Sequence, residues 1–249
     1  MRFFPPTPDF LFIHNNKLVY CTVTMYNICM PIYKEINIKF FRKWTSPMAY
    51  ILGFIYADGN IIYTKRNTWF LSIQITDKEI LEIIKREMNS SHTISERKSA
   101  ENHKPLYRLQ IGSKNICEDL IRIGLTERKS KTMVLPTIPN KYFSDFLRGY
   151  FDGDGGIWIG LKNKKQNTKT FIISTFFTSG SKDFLISLKK KLAKNGLVGG
   201  SLVKKERGFD LKYSVKDSLI LYKIMYNSKY SLFLNRKKER FEKYIKMRS

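Results

Sequence analysis

Residues 149–160 read GYFDGDGGIWIG, and residues 53–60 read GFIYADGN. Each stretch sets an Asp-Gly pair directly behind a run with helical character. Aspartate is poor inside a helix and worse at its C-terminal end, where the macrodipole already places negative charge. A carboxylate kept twice at that unfavourable place asks for a compensating cation. The small residues of each motif fall four apart, Gly53 with Ala57 and Gly149 with Gly153, and so share one helix face. Such faces let two backbones approach closely. The motif helices are therefore expected to pack on each other and end side by side, with Asp58 near Asp154. Gly59 and Gly155 are expected to take the left-handed conformation that ends a helix.

One Asp-Gly pair is ordinary turn chemistry. Two copies, each behind a helix with small residues at matching places, ask for more than a turn. An EF-hand reading of DGDGG fails. Counting from Asp152, the sixth position is Ile157 where glycine is needed, and the twelfth is Asn163 where glutamate is needed. Carboxylates with exposed backbone carbonyls are the oxygen ligands that Mg²⁺ prefers.

The motif pair sets the register of an internal repeat, with Asp58 and Asp154 96 residues apart. The first copy starts at Thr45, Ser46 and Pro47, a hydroxyl cap followed by proline in the first turn, and runs into the apolar stretch Met48–Ala57. Strand character follows at Ile61–Thr64 and Trp69–Thr76. A helix is expected at Asp77–Met88, strands at His92–Arg97 and Leu106–Ile111, and a helix at Lys114–Ile123. The second copy opens at Asn140–Tyr142 and continues through a helix at Phe146–Phe151. Strands are expected at Gly156–Leu161 and Thr170–Thr178, then a helix at Lys182–Asn195 closed by Gly196. Strands at Ser201–Lys205 and Phe209–Val215, a helix at Asp217–Tyr226 and a basic tail helix at Asn235–Lys246 complete it. Leu125–Pro139, with two prolines and several charges, reads as a linker. The expected fold class is α+β: two pseudo-symmetric αββαββα halves packed through the paired motif helices. The expected division is residues 1–40 as an N-terminal extension of weak order, 41–135 as the first half and 136–249 as the second.

The chain of 249 residues carries 45 Lys plus Arg against 21 Asp plus Glu, a formal net charge of +24. That excess favours a polyanionic partner: DNA, RNA or an anionic membrane surface. Its 43% hydrophobic content argues for a folded chain. Cys21, Cys29 and Cys117 form no CxxC pair, which points away from zinc and disulfides and towards an intracellular compartment, bacterial cytoplasm or organelle matrix. His14, His92 and His103 have no metal-ligand spacing, and no apolar run is long enough to span a membrane.

ILGFIYADG at 51–59 and LRGYFDGDG at 147–155 resemble the two motifs of the LAGLIDADG homing endonucleases, and WTSPMAY at 44–50 resembles the lead-in of one branch. The resemblance covers roughly residues 40–249. It implies a monomer whose halves each offer a saddle of antiparallel strands to the major groove of double-stranded DNA. It implies that the last acidic residue of each motif, Asp58 and Asp154, binds divalent metal at the scissile phosphates, with the carbonyls of Ala57 and Gly153 as further ligands. The expected ion is Mg²⁺ or Mn²⁺, with Ca²⁺ binding but not supporting cleavage. Asp152 matches an earlier acidic position that is Tyr56 in the first motif, and so is not expected to be essential. Gln74 resembles a polar residue that orders active-site water, with Thr178 as the nearest match in the second half. Lys114 and Lys216, which follow the fourth strands, are expected to stabilise the transition-state phosphate.

Strand alternation supplies DNA-binding candidates: Lys65, Arg66, Arg97, Arg108, Lys162, Lys164, Lys204, Lys205 and Arg207. The run RKKER at 236–240 reads either as a phosphate clamp or as a solvated helix face. The halves differ in sequence, so the expected target is an asymmetric duplex. Two other functions stay open at this point: an intron RNA maturase and a regulatory DNA-binding protein with a dead site. Both aspartates being present speaks against the second. No splicing block surrounds the core, which argues against an intein.

Overall fold

The computed structural model describes residues 10–14, 17–21, 34–97, 104–126, 129–162, 170–227 and 232–248. The chain divides into two compact units, Met1–Tyr33 and Lys34–Ser249. In the first, β1 (Phe10–His14) pairs antiparallel with β2 (Lys17–Cys21), Phe10 opposite Cys21. FLFIH and KLVYC are rich in strand-forming residues, so a hairpin stands where the sequence suggested weak order.

The second unit contains the repeat. Its first half runs α1 (Ser46–Asp58), β3 (Gly59–Tyr63), β4 (Trp69–Ile75), α2 (Lys78–Glu87), β5 (Ile94–Arg97), β6 (Leu106–Gly112) and α3 (Lys114–Ile123). Its second half runs α4 (Phe143–Asp154), β7 (Gly155–Lys162), β8 (Thr170–Ser179), α5 (Lys182–Ala193), β9 (Ser201–Lys205), β10 (Gly208–Tyr213) and α6 (Val215–Tyr226), followed by α7 (Asn235–Lys246). Each half carries one four-stranded antiparallel sheet, ordered β3-β4-β6-β5 in the first and β7-β8-β10-β9 in the second. The expected α+β fold is therefore the observed one.

Local chemistry explains the element ends. The Thr45 hydroxyl accepts the Met48 amide at 3.2 Å, and Pro47 sits in the first turn of α1. Residues 34–40 pack with this unit: the Asn37 amide donates to the Met88 carbonyl, and Ile36 and Phe40 lie against the core. Gly59 and Gly155, by contrast, are extended, with φ of −81° and −90°, and are not left-handed. Each helix passes straight into a strand, so no reversal is required. Space explains these glycines instead. A Cβ on Gly59 would lie 2.8 Å from the Ile55 carbonyl oxygen, and one on Gly155 would lie 2.1 Å from the Phe151 ring.

Each sheet buries one face. Leu71, Ile73, Leu109 and Ile111 cover the inner face of the first, and Ile173, Phe177, Leu211 and Tyr213 that of the second. On the alternate faces Gln74, Arg108 and Trp158 are exposed, while Ser72 and Asp210 are buried. Nearly all of α1 is buried, and α1 with α4 forms the centre of one continuous core.

Candidate active site and open sheet faces

Steric limits fix how α1 and α4 meet. A Cβ on Gly53 would sit 2.1 Å from the Phe146 carbonyl oxygen, and one on Gly149 would sit 1.9 Å from the Tyr50 carbonyl oxygen. Each half's glycine thus receives the other half's backbone, as a pseudo-twofold axis demands. The same relation continues to the tips. A Cβ on Gly153 would lie 2.3 Å from Ala57 Cβ and 3.0 Å from Asp58 Oδ2. The small-residue faces legible in the sequence bring the two acidic helix ends together.

Electrostatics reports the same closeness. Burial, and secondarily the Asp154 carboxylate, push the Asp58 carboxyl up to about 6. Burial raises Asp154 as well. Two ammonium groups oppose these shifts, those of Lys129 and Lys237, with Arg236 adding to them at Asp58. Lys129 is 7% exposed and Lys237 5%. Lys129 Nζ donates to the carbonyls of Tyr56 and, at 2.7 Å, Ala57. Lys237 Nζ donates to those of Phe151 at 2.5 Å, Gly155 at 2.7 Å and Gly153 at 3.2 Å. Each lysine therefore satisfies carbonyls freed at the end of one motif helix. Burial lowers both ammonium groups to about 8.

These two lysines add to the sequence reading. Lys114 and Lys216 are exposed in the first turns of α3 and α6, and Lys114 pairs with Glu118 at 3.7 Å. The buried cations acting on the aspartates are Lys129 and Lys237. Lys129 belongs to the charged segment read as a linker, which is packed instead: Met133 is buried, and its carbonyl accepts the Ser181 hydroxyl at 2.6 Å. Lys237 belongs to RKKER and turns inward, while its neighbour Arg236 stays exposed and pairs with both carboxylate oxygens of Asp77. A lysine among lysines carries no periodic signal. What distinguishes these two is a set of carbonyls supplied by another part of the chain.

The carbonyls of Ala57 and Gly153 each accept one lysine N–H and keep a second lone pair beside the Asp58 and Asp154 carboxylates. Among the described residues no group of three or more His, Cys, Asp or Glu side chains converges on a metal position. The two half-buried carboxylates nevertheless suit a hard divalent cation, which would neutralise the charge that burial disfavours.

Gln74 and Thr178 occupy equivalent sheet positions. Gly59 is opposite Ile73 and Gly155 opposite Phe177, and Gln74 and Thr178 each follow by one residue. Gln74 is exposed and lines a cleft of about 130 Å³ with Ser95, Arg97 and Arg108. Thr178 donates to Asp210, which sits directly across the ladder at 2.9 Å. Asp210 also lies 3.4 Å from Lys205 and 3.8 Å from Lys212. That acid–base cluster on the open face of the second sheet was not singled out from sequence.

The remaining candidates divide by face. Arg97 and Arg108 share the open face of the first sheet with Gln74. Lys205 shares that of the second sheet with Trp158, Phe176 and Lys212. Lys65 and Arg66 are exposed between β3 and β4, and Arg207 is exposed between β9 and β10. Lys162 ends β7 opposite Thr170, and Lys164 lies outside the described residues. Lys204 pairs with Phe209, whose ring packs on the core, so alternation sets it on the helix-covered side.

Comparison with known proteins agrees with this geometry. Residues 45–124 match the family model of a LAGLIDADG-like domain. An uncharacterized protein of Methanocaldococcus jannaschii is 25% identical over 217 residues, 83% of this chain and 74% of that one. Among solved structures, the meganuclease I-SmaMI bound to uncleaveable DNA matches at a TM-score of 0.56 and 14% identity, over 81% of this chain and 89% of its own. The LAGLIDADG meganuclease I-AabMI bound to uncleaved DNA gives a TM-score of 0.56 at 15% identity, with the same coverage. The homing endonuclease I-WcaI bound to its DNA recognition sequence gives 0.56 at 21%, over 81% and 89%. No helix among the described residues is long and apolar enough to cross a membrane.

Proposed function

From the LAGLIDADG meganuclease fold of this chain, and the LAGLIDADG-like domain matched by its first half, we propose a site-specific homing endonuclease. It hydrolyses both strands of a long, asymmetric DNA duplex as a monomer and with a divalent metal, as intron homing requires. The observation that carries this reading is the meeting of two acid-tipped helices at the joint between two open antiparallel sheets, on a chain of net charge +24.

Asp58 and Asp154 would hold the metal, which when bound would supply an activated water and stabilisation of the leaving oxygen. Magnesium or manganese suits an all-oxygen site. Lys129 spends two hydrogen bonds on the end of α1, which leaves its third N–H for a phosphate oxygen. Lys237, with three carbonyl partners, acts as a fixed positive charge beside the acids. Both lysines offset phosphate charge in a water-poor site, where such charges act most strongly. Gln74 and Thr178 flank this centre from the two sheets and orient water. The open faces read base edges: Arg97 and Arg108 suit guanine, and the exposed Trp158 suits thymine methyl groups.

The test is cleavage of a randomised duplex library with Mg²⁺, comparing wild type with Asp58→Asn, Asp154→Asn and the double variant. The double variant is expected to bind DNA without cutting it, and each single variant to lose most double-strand cutting. Cutting by the double variant at the wild-type rate refutes the catalytic assignment. Specific binding with no cutting by any form, wild type included, identifies a DNA-binding regulator instead.

A further inference from the structure

Asp152 lies outside the reacting pair, yet it is the most deeply buried carboxylate of the second half, at 0% exposure. Its Oδ2 accepts the Tyr50 hydroxyl at 2.7 Å and the Leu234 amide at 2.9 Å. Tyr50 belongs to α1 of the first half, and Leu234 immediately precedes α7. Leu234 brings no side-chain cap to that helix. The Asp152 carboxylate therefore performs from a distance what an N-cap aspartate does locally: it satisfies a free amide and places negative charge at the positive end of the dipole.

The first turn of α7 then turns both ways. Arg236 crosses to Asp77 of the first half, and Lys237, three residues after Leu234, reaches the carbonyls at the end of α4. The segment before α7 is fixed as well. Arg148, 1% exposed, donates to the Leu232 and Met225 carbonyls, each at 2.6 Å, and pairs with Asp145 at 2.5 Å. Among the described residues the first half has no such arrangement. Tyr56 stands where Asp152 would be, and Lys129 comes from a connecting segment with no helix start to cap.

We propose that Asp152 is a positioning residue: it latches the start of α7 between the two motif helices and so holds Lys237 at the acidic centre. The tail helix is thereby part of the active site. This inference rests on the endonuclease reading above.

The test pairs a structural readout with a kinetic one. Hydrogen exchange is measured on metal-free, DNA-free protein. Asp152→Ala is expected to speed exchange in the first turn of α7 by about tenfold, with the amides of α1 and α4 unchanged. Asp152→Asn, which keeps the acceptor oxygen, is expected to restore protection. In single-turnover cleavage at saturating DNA, Asp152→Ala is expected to lose about tenfold in rate, with DNA affinity within about twofold of wild type. In a Lys237→Met background the same change is expected to cost nothing further, because the group it positions is gone. The proposal is overturned if α7 exchange does not change, if α1 and α4 loosen along with it, or if the cost is the same with and without Lys237. Loss of protection in α7, with wild type cutting no duplex, would overturn the endonuclease reading and leave only the mechanical latch.

Discussion

At the scale of single residues the decisive quantity is the charge of Asp58. Its carboxyl is pushed up to about 6 by burial and by Asp154. A raised carboxyl favours the folded state when protonated. In the metal-free protein this contribution is complete below the ordinary value of 3.8 and is lost as pH rises through about 6. A divalent cation binds the ionised form, so its stabilising effect must grow across that window. The Mg²⁺-induced rise in Tm is expected to be clearly larger at about pH 7.5 than at about pH 5. Equal shifts at both pH values would mean that Asp58 is not a ligand. The aspartates were legible in the sequence because an acid at a helix C-terminus contradicts local electrostatics. Lys129 and Lys237 were not, because nothing local marks them; their role exists only where carbonyls from α1 and α4 converge on them.

At the scale of elements, the contact between α1 and α4 tolerates no added atom. Gly149→Ala is expected to destabilise the protein by about 3 kcal/mol, the upper end for overpacking, since its Cβ would meet the Tyr50 backbone at 1.9 Å. Gly196→Ala serves as the control, with φ +90° but nothing within 4 Å. It carries backbone strain alone, about 1 kcal/mol. Denaturant unfolding decides between them, and similar losses at both sites would show that the helices do not meet as described. Small residues four apart foretold this contact. The conformation of Gly59 and Gly155 was misread, because an Asp-Gly pair ending a helix ordinarily reverses the chain, whereas here helix and strand are continuous. Strand alternation foretold the open faces, and one register position sets Lys204 apart from Lys205.

At the scale of the whole molecule, the charge of +24 and two open sheets imply binding through many phosphates. Affinity for duplex DNA is expected to fall by about 10³-fold or more between 50 and 200 mM salt, the behaviour of roughly six or more phosphate contacts. A nearly flat response in a salt titration would exclude the proposed surface. At this scale α7 also reaches the first half, through Arg236 and Asp77, beside the direct link between the motif helices from Asp152 to Tyr50.

The sequence by itself determined the repeat, the element order, the helix pair and the two acids, because each leaves a local mark: periodicity, small-residue spacing, a cap or a misplaced charge. Tertiary structure alone decided which lysines accompany those acids and why Asp152 is buried. A buried ammonium or carboxylate is tolerated only when desolvation is offset by partners from distant segments, and those partners come together only once the halves and the tail have closed on one another.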